Sequence, residues 1–278
     1  MSRKDRKDKG KREDKRNRRD REDSGDSRND NRKMSMTQHQ KPQLRANMIK
    51  IIKPRTDGQH KYVETMKKHP ITLCIGPAGS GKTQLAVALA VEELIAGKFE
   101  KIILTRPAIE AAGEQLGFLP GTALEKLDPY MIPLYDSLDK VVGKFIREKM
   151  MEDGTIEIVP LAYMRGRTLD KAFIVLDESQ NCSSQQILMI LTRLGADSKI
   201  VVTGDLNQSD ISYARDNSRN QTRNGLEDAI LRFSNDDDIA VVCLRLCDIQ
   251  RHPLITHIIR AYELGLPETT MEEIYRSK

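Results

Sequence analysis

The sequence predicts an α/β domain built on a mostly parallel sheet, preceded by a disordered, charged tail. Three observations carry this reading. From about Lys50 onwards, short runs of Val, Ile and Leu alternate with helix-like stretches, as in parallel strands covered on both faces. One such run passes through a glycine-rich octapeptide directly into an apolar helix-like stretch. Residues 1–33 hold 15 Lys or Arg and 9 Asp or Glu with almost no apolar side chain. A segment of that kind cannot bury enough surface to offset the entropy of ordering.

The tail carries a net charge of +6, so the remainder of the chain carries −1 of the total +5. Mixed-charge basic tails touch nucleic acid through phosphates without reading sequence, or serve only to solubilise; both readings stay open for this one. Residues 1–47 are expected to be tail and linker, and 48–278 the folded domain. Within the linker, Met48–Ile52 is a short apolar patch.

Six strands follow from the apolar runs: Ile71–Ile75, Lys101–Thr105, Thr155–Val159, Ala172–Leu176, Lys199–Thr203 and Ile239–Leu244. Helices are expected over Gln84–Ala96, Ser183–Leu194, Gly225–Phe233 and His252–Leu264. Ser183 stands where a cap belongs, and Gly195 just past the end. The stretch from Pro107 to Gly154 is too long for a minimal crossover and predicts an insertion with helices over Ala123–Asp128 and Ile132–Met151. No run reaches the roughly 20 apolar residues of a membrane helix, and the N-terminus lacks a signal-peptide core. Cys74, Cys182, Cys243 and Cys247 sit mainly in apolar runs, which suits core thiols in a reducing, cytoplasmic setting better than zinc ligands.

The octapeptide is Gly76-Pro77-Ala78-Gly79-Ser80-Gly81-Lys82-Thr83, with Gln84 opening the helix behind it. Strand, glycine loop and helix in this order form a phosphate-binding P-loop. Its glycines let backbone N–H groups cradle phosphate oxygens, and the helix N-terminus favours the same anion. Lys82 is placed to reach the β- and γ-phosphates, and the Thr83 hydroxyl to ligate Mg²⁺.

The run Phe173–Leu176 ends in Asp177-Glu178, two acids at the carboxyl end of a strand, where α/β ligands bind. Asp177 would hold Mg²⁺, and Glu178 would orient or deprotonate the attacking water. The next strand ends in Gly204-Asp205-Leu206-Asn207-Gln208. That is good turn chemistry, and it also places Gln208 to sense a γ-phosphate.

Taken in order, these motifs resemble the PhoH-like family, which has the core of superfamily 1 helicases. The likeness covers the P-loop, Thr105–Ala108 with Gly117–Gly121, Asp177–Asn181 (with Ser179 where the family usually has Ala), Gly204–Gln208, and Asp248–Pro253. It runs from about Gln59 to Leu264. The resemblance implies a single RecA-like domain, hydrolysis of ATP with Mg²⁺, a cytoplasmic location, a link to RNA or single-stranded nucleic acid, and ring-shaped homo-oligomers, a hexamer being one candidate size. It also implies that Gln59 reads the adenine edge and that Tyr62 stacks on the base. The chain has length for one such domain only, so an arginine finger must come from elsewhere. Arg251 is the candidate, supplied across a subunit interface, with Arg260 as the alternative. Arg106, Arg165 and Arg167 are candidate contacts to a nucleic-acid backbone. A slow nucleotide-dependent switch or scaffold is the competing reading. A small-molecule kinase fits the acid pair less well, and nuclease activity is not expected.

Overall fold

The structure is a computed structural model that describes residues 49–108, 123–209 and 224–263. The chain divides into two units, residues 1–39 and 40–278, and the described residues all belong to the second. The charged tail, the motif at 117–121 and the chain beyond residue 263 lie outside them.

The six expected strands form: β1 Ile71–Ile75, β2 Lys101–Arg106, β3 Ile156–Pro160, β4 Ala172–Leu176, β5 Lys199–Gly204 and β6 Ile239–Cys243. They join one sheet in the order β3-β2-β4-β5-β1-β6, and every ladder is parallel. β4 and β5 are buried along their whole length, which explains the apolar runs Ala172–Leu176 and Ile200–Val202.

Among the described residues, seven helices accompany the sheet: α1 Asp57–Lys68, α2 Lys82–Ile95, α3 Ala123–Val142, α4 Lys144–Glu152, α5 Ser184–Leu191, α6 Gly225–Phe233 and α7 Pro253–Glu263. Side-chain alternation along the strands divides the core into two layers. Phe173, Val175 and Val201 pack with α1 to α4, whereas Ile174, Leu176, Ile200 and Val202 pack with α5 and α6.

Three details depart from the sequence reading. Helix α1 is not among the expected elements, because its composition is polar and it contains Gly58. Its ends are secured by tertiary groups. Thr56 caps the start by accepting from Gln59 N, and the buried Lys199 ammonium donates to the carbonyls of Met66, Lys67 and His69 at the end. The insertion breaks at Gly143, not near Pro129. Helix α3 carries Pro129 and Pro133 inside it, and Gly143 turns the chain with φ 77° and ψ 154°, a conformation that belongs to glycine. Helix α5 stops at Leu191, because Arg193 O is taken by Leu169 N and Gly195 N donates to Leu169 O.

Candidate nucleotide site

The P-loop leaves the end of β1 and runs into α2. Gly79 and Gly81 have φ of 83° and 89°, left-handed values that favour glycine. A β-carbon at Gly79 would also stand 2.6 Å from Cδ and Nε of Arg251, so this glycine serves both the turn and a close approach. Lys82 Nζ donates to Gly76 O at 2.6 Å and to Pro77 O at 3.1 Å. The ammonium therefore lies inside the curl of its own loop.

Strand β4 delivers the acids beside it. Thr83 Oγ1 donates to Asp177 Oδ1 at 2.6 Å, and Thr203 Oγ1 donates to the same oxygen at 2.8 Å. A hydroxyl and a carboxylate at this spacing are hard oxygen donors of the type Mg²⁺ prefers; the residues fit the ion. Glu178 has φ 52° and ψ 39°, a left-handed conformation that is rare outside glycine and concentrates at functional sites. Its carboxylate accepts from Gln180 Nε2 at 2.5 Å and lies 3.5 Å from Arg106 Nη2. Gln180 is buried and also donates to Gln208 O and accepts from Asp205 N. It thus ties the β4 acid to the turn after β5. Gln208 is exposed and lines the same cleft.

The cleft encloses about 880 Å³, within the size range of small-molecule sites. Lys82, Thr83, Asp177, Glu178, Gln208 and Arg251 meet in it. Its far wall comes from segments that the motifs did not indicate: Ile51, Arg55, Pro133, Asp136 and Lys140. Lys50 N donates to Val141 O at 2.7 Å, tying the entering strap to α3. The only sequence hint was the apolar patch at 48–52. Ile49 and Ile52 pack on the core, while Ile51 is 68% exposed.

Several expected roles change. Tyr62 is fully buried beneath α2, with its hydroxyl donating to Lys82 O at 3.3 Å. It cannot stack on a base, because its ring fills the core between α1 and α2. Burial pushes its phenol pKa up. Gln59 lies beside the P-loop, but its Nε2 donates to Ser80 O and Asp248 O, and its Oε1 accepts from Arg55 N. The amide braces three backbone segments and has no free edge turned to a base. Gln84 Nε2 donates to Ser137 O and holds α3.

Among the expected nucleic-acid contacts, Arg106 is paired with Glu178. Arg167 is fastened to Glu157 by two hydrogen bonds at 2.5 and 2.6 Å, so its guanidinium is committed within the chain. Arg165 is exposed. The expectation that Arg251 faces a neighbouring subunit meets a different geometry: its side chain lies against Gly79 of its own P-loop, and Gln250 N donates to Gly79 O. Arg260 falls in α7 with its side chain outside the described residues. No helix among the described residues is long and apolar enough to cross a membrane.

A family model described as PhoH-like protein matches residues 51–263. A PhoH-like protein of Bacillus subtilis is 50% identical over 214 residues, covering 77% of this chain and 65% of the relative. One from Synechocystis is 46% identical, covering 77% and 62%. Protein PhoH of Escherichia coli is 38% identical, covering 75% and 57%. The chain thus spans less than two thirds of the length of these relatives. Among solved structures, the large terminase of a thermophilic bacteriophage aligns with a TM-score of 0.46 at 10% identity, covering 75% of this chain and 50% of that one. The SWI2/SNF2 ATPase core of Sulfolobus solfataricus, solved with double-stranded DNA, gives 0.40 at 16% identity, covering 72% and 46%.

Proposed function

The chain belongs to the PhoH-like protein family, and from that premise we propose that it binds ATP and hydrolyses it with Mg²⁺. The observation that carries this is convergence. One chain brings Lys82, the Thr83–Asp177 pair and Glu178 to the mouth of a single cleft. Phosphate oxygens entering the loop replace the carbonyls of Gly76 and Pro77 as partners of Lys82 Nζ. That exchange sets a full positive charge against the transferred group. Thr83 and Asp177 would hold Mg²⁺, which would supply neutralisation of phosphate charge. Glu178 accepts the proton of the attacking water, and Gln208, exposed in the same cleft, would sense the γ-phosphate.

In the same reading, hydrolysis is coupled to binding or remodelling RNA or single-stranded nucleic acid, in the cytoplasm, by a homo-oligomeric ring. Support comes from the resemblance of the ordered motifs to helicase cores and from the exposed Arg165 beside the sheet's carboxyl edge. A slow nucleotide-dependent switch is favoured by one observation. Arg106 and Gln180 both hold the Glu178 carboxylate, which restrains it as a proton acceptor.

Turnover of ATP by the full chain, measured with and without single-stranded RNA, separates the two. Severalfold stimulation supports the coupled ATPase, and slow turnover indifferent to RNA supports the switch. Glu178→Gln keeps ATP binding and loses hydrolysis. A variant that no longer binds ATP would make Glu178 structural.

A further inference from the structure

Strand β3 is the outer strand of the sheet, next to β2, with Pro160 in register with Arg106. The chain then makes a tight 3-10 turn over Leu161–Met164. Leu161 and Met164 are buried, with 1% and 0% exposure, in the layer shared with α5. The following residues are fastened as well. Arg167 grips Glu157, Arg167 N donates to Met164 O, and Arg167 O accepts from Arg193 Nη1. Between these anchors the turn presents two side chains outward, Tyr163 at 45% exposure and Arg165. Among the described residues, neither has a hydrogen bond or an ion pair through its side chain. The acid on β3, Glu157, is already neutralised by Arg167, and Asp170 accepts from Ala196 N.

We propose that Tyr163 and Arg165 form a contact site for single-stranded nucleic acid, the ring stacking on a base and the guanidinium meeting a neighbouring phosphate. This rests on the nucleic-acid reading above. The chemistry matches how single strands are held without sequence preference: an aromatic platform serves any base, and a cation follows the backbone. Because the turn is held at both ends, little ordering entropy opposes binding. Position favours a polymer over the nucleotide. Strand β3, which leads into the turn, stands four strand spacings from β1 and its P-loop, roughly 19 Å. It lies only two spacings from β4, roughly 10 Å, on the edge that carries the Arg106–Glu178 pair. A strand lying along that edge reaches both Tyr163 and the arginine that holds Glu178.

The test is fluorescence anisotropy of the full chain with a labelled single-stranded oligo(U) RNA and a DNA of equal length. Tyr163→Ala weakens binding about tenfold, within the range for one stacked base. Tyr163→Phe binds as the wild type does, because stacking needs the ring and not the hydroxyl. Arg165→Ala lowers the slope of log Kd against log salt by about one. ATP turnover without nucleic acid stays unchanged in all three, which also reports that they fold. Wild-type affinity and salt slope in both Tyr163→Ala and Arg165→Ala, with the wild type binding, overturn this site alone. Failure of the wild type to bind RNA or DNA overturns the nucleic-acid reading and the site together, and leaves the turn to a protein partner. Equal losses in Tyr163→Phe and Tyr163→Ala would transfer the role to the hydroxyl and sink the stacking.

Discussion

The two ends of the cleft are built by different means. At the phosphate end, eight consecutive residues form the cradle, and the acids arrive on one buried strand two places away in the sheet. At the other end, the wall is assembled from the strap at 50–55, the start of α1 and the middle of α3. The first arrangement is backbone geometry written locally by glycines. The second exists only once distant segments pack, so its parts carry no motif. A mutation at the phosphate end should therefore strike chemistry, and one at the other end should first strike stability.

Lys82→Ala gives the largest effect on this view. It removes the cation seated in the P-loop curl, and the rate of ATP turnover should fall by at least about 10²- to 10³-fold, the range for losing one preorganised electrostatic group. Thermal unfolding should barely move, since the ammonium bonds only to carbonyls of its own loop. Wild-type turnover would remove the phosphate end from the active site.

The sequence made the phosphate end legible for the same reason. Gly79, Gly81, Lys82 and Thr83 stand where the motif put them, and Asp177 meets Thr83 across 94 residues because an apolar strand can only enter the sheet. The six strands were equally readable, as β4 and the Ile200–Val202 stretch of β5 are buried and wholly apolar. The surroundings of Tyr62 and Gln59 are not legible in the same way, because burial is not local. Tyr62 sits on a polar helix whose ends are fixed by Thr56 and by Lys199, 133 residues from Met66. No window of sequence contains that contact. Similarly, Arg167 looked free until Glu157 was brought beside it.

Tyr62→Ala tests the second half of the comparison. Emptying a fully buried aromatic site should cost about 3–5 kcal/mol of stability, read in chemical denaturation. The KM for ATP of the protein that remains folded should change little. A KM raised tenfold at unchanged stability would return Tyr62 to the base.

Gln59→Leu should have a smaller effect. It leaves the carbonyls of Ser80 and Asp248 and the N–H of Arg55 without their partner, a loss of about 1–3 kcal/mol. The preference for ATP over GTP, measured as a ratio of kcat/KM, should be unaltered by the change. A tenfold shift in that ratio would show that the amide turns to read the base.

The smallest effect expected is none at all, in complementation between Arg251→Ala and Lys82→Ala chains. A cation must face the γ-phosphate in the transition state to stabilise its charge, and in a ring it could come from a neighbour. Here Arg251 is carried by a segment fastened to its own chain. Arg245 N donates to Asp248 Oδ2, Thr56 Oγ1 donates to Asp248 Oδ1, Gln59 Nε2 reaches Asp248 O, and Gln250 N reaches Gly79 O. The guanidinium arm then lies in the space that Gly79 leaves by lacking a β-carbon. Reaching a neighbouring site would mean swinging the guanidinium out of the space beside Gly79. Co-expressed variants should therefore show no more turnover than the two measured apart, since every intact Lys82 is paired with a missing Arg251. Recovery above that sum would place Arg251 across a subunit interface, and the contact with Gly79 would then be a resting position that assembly undoes.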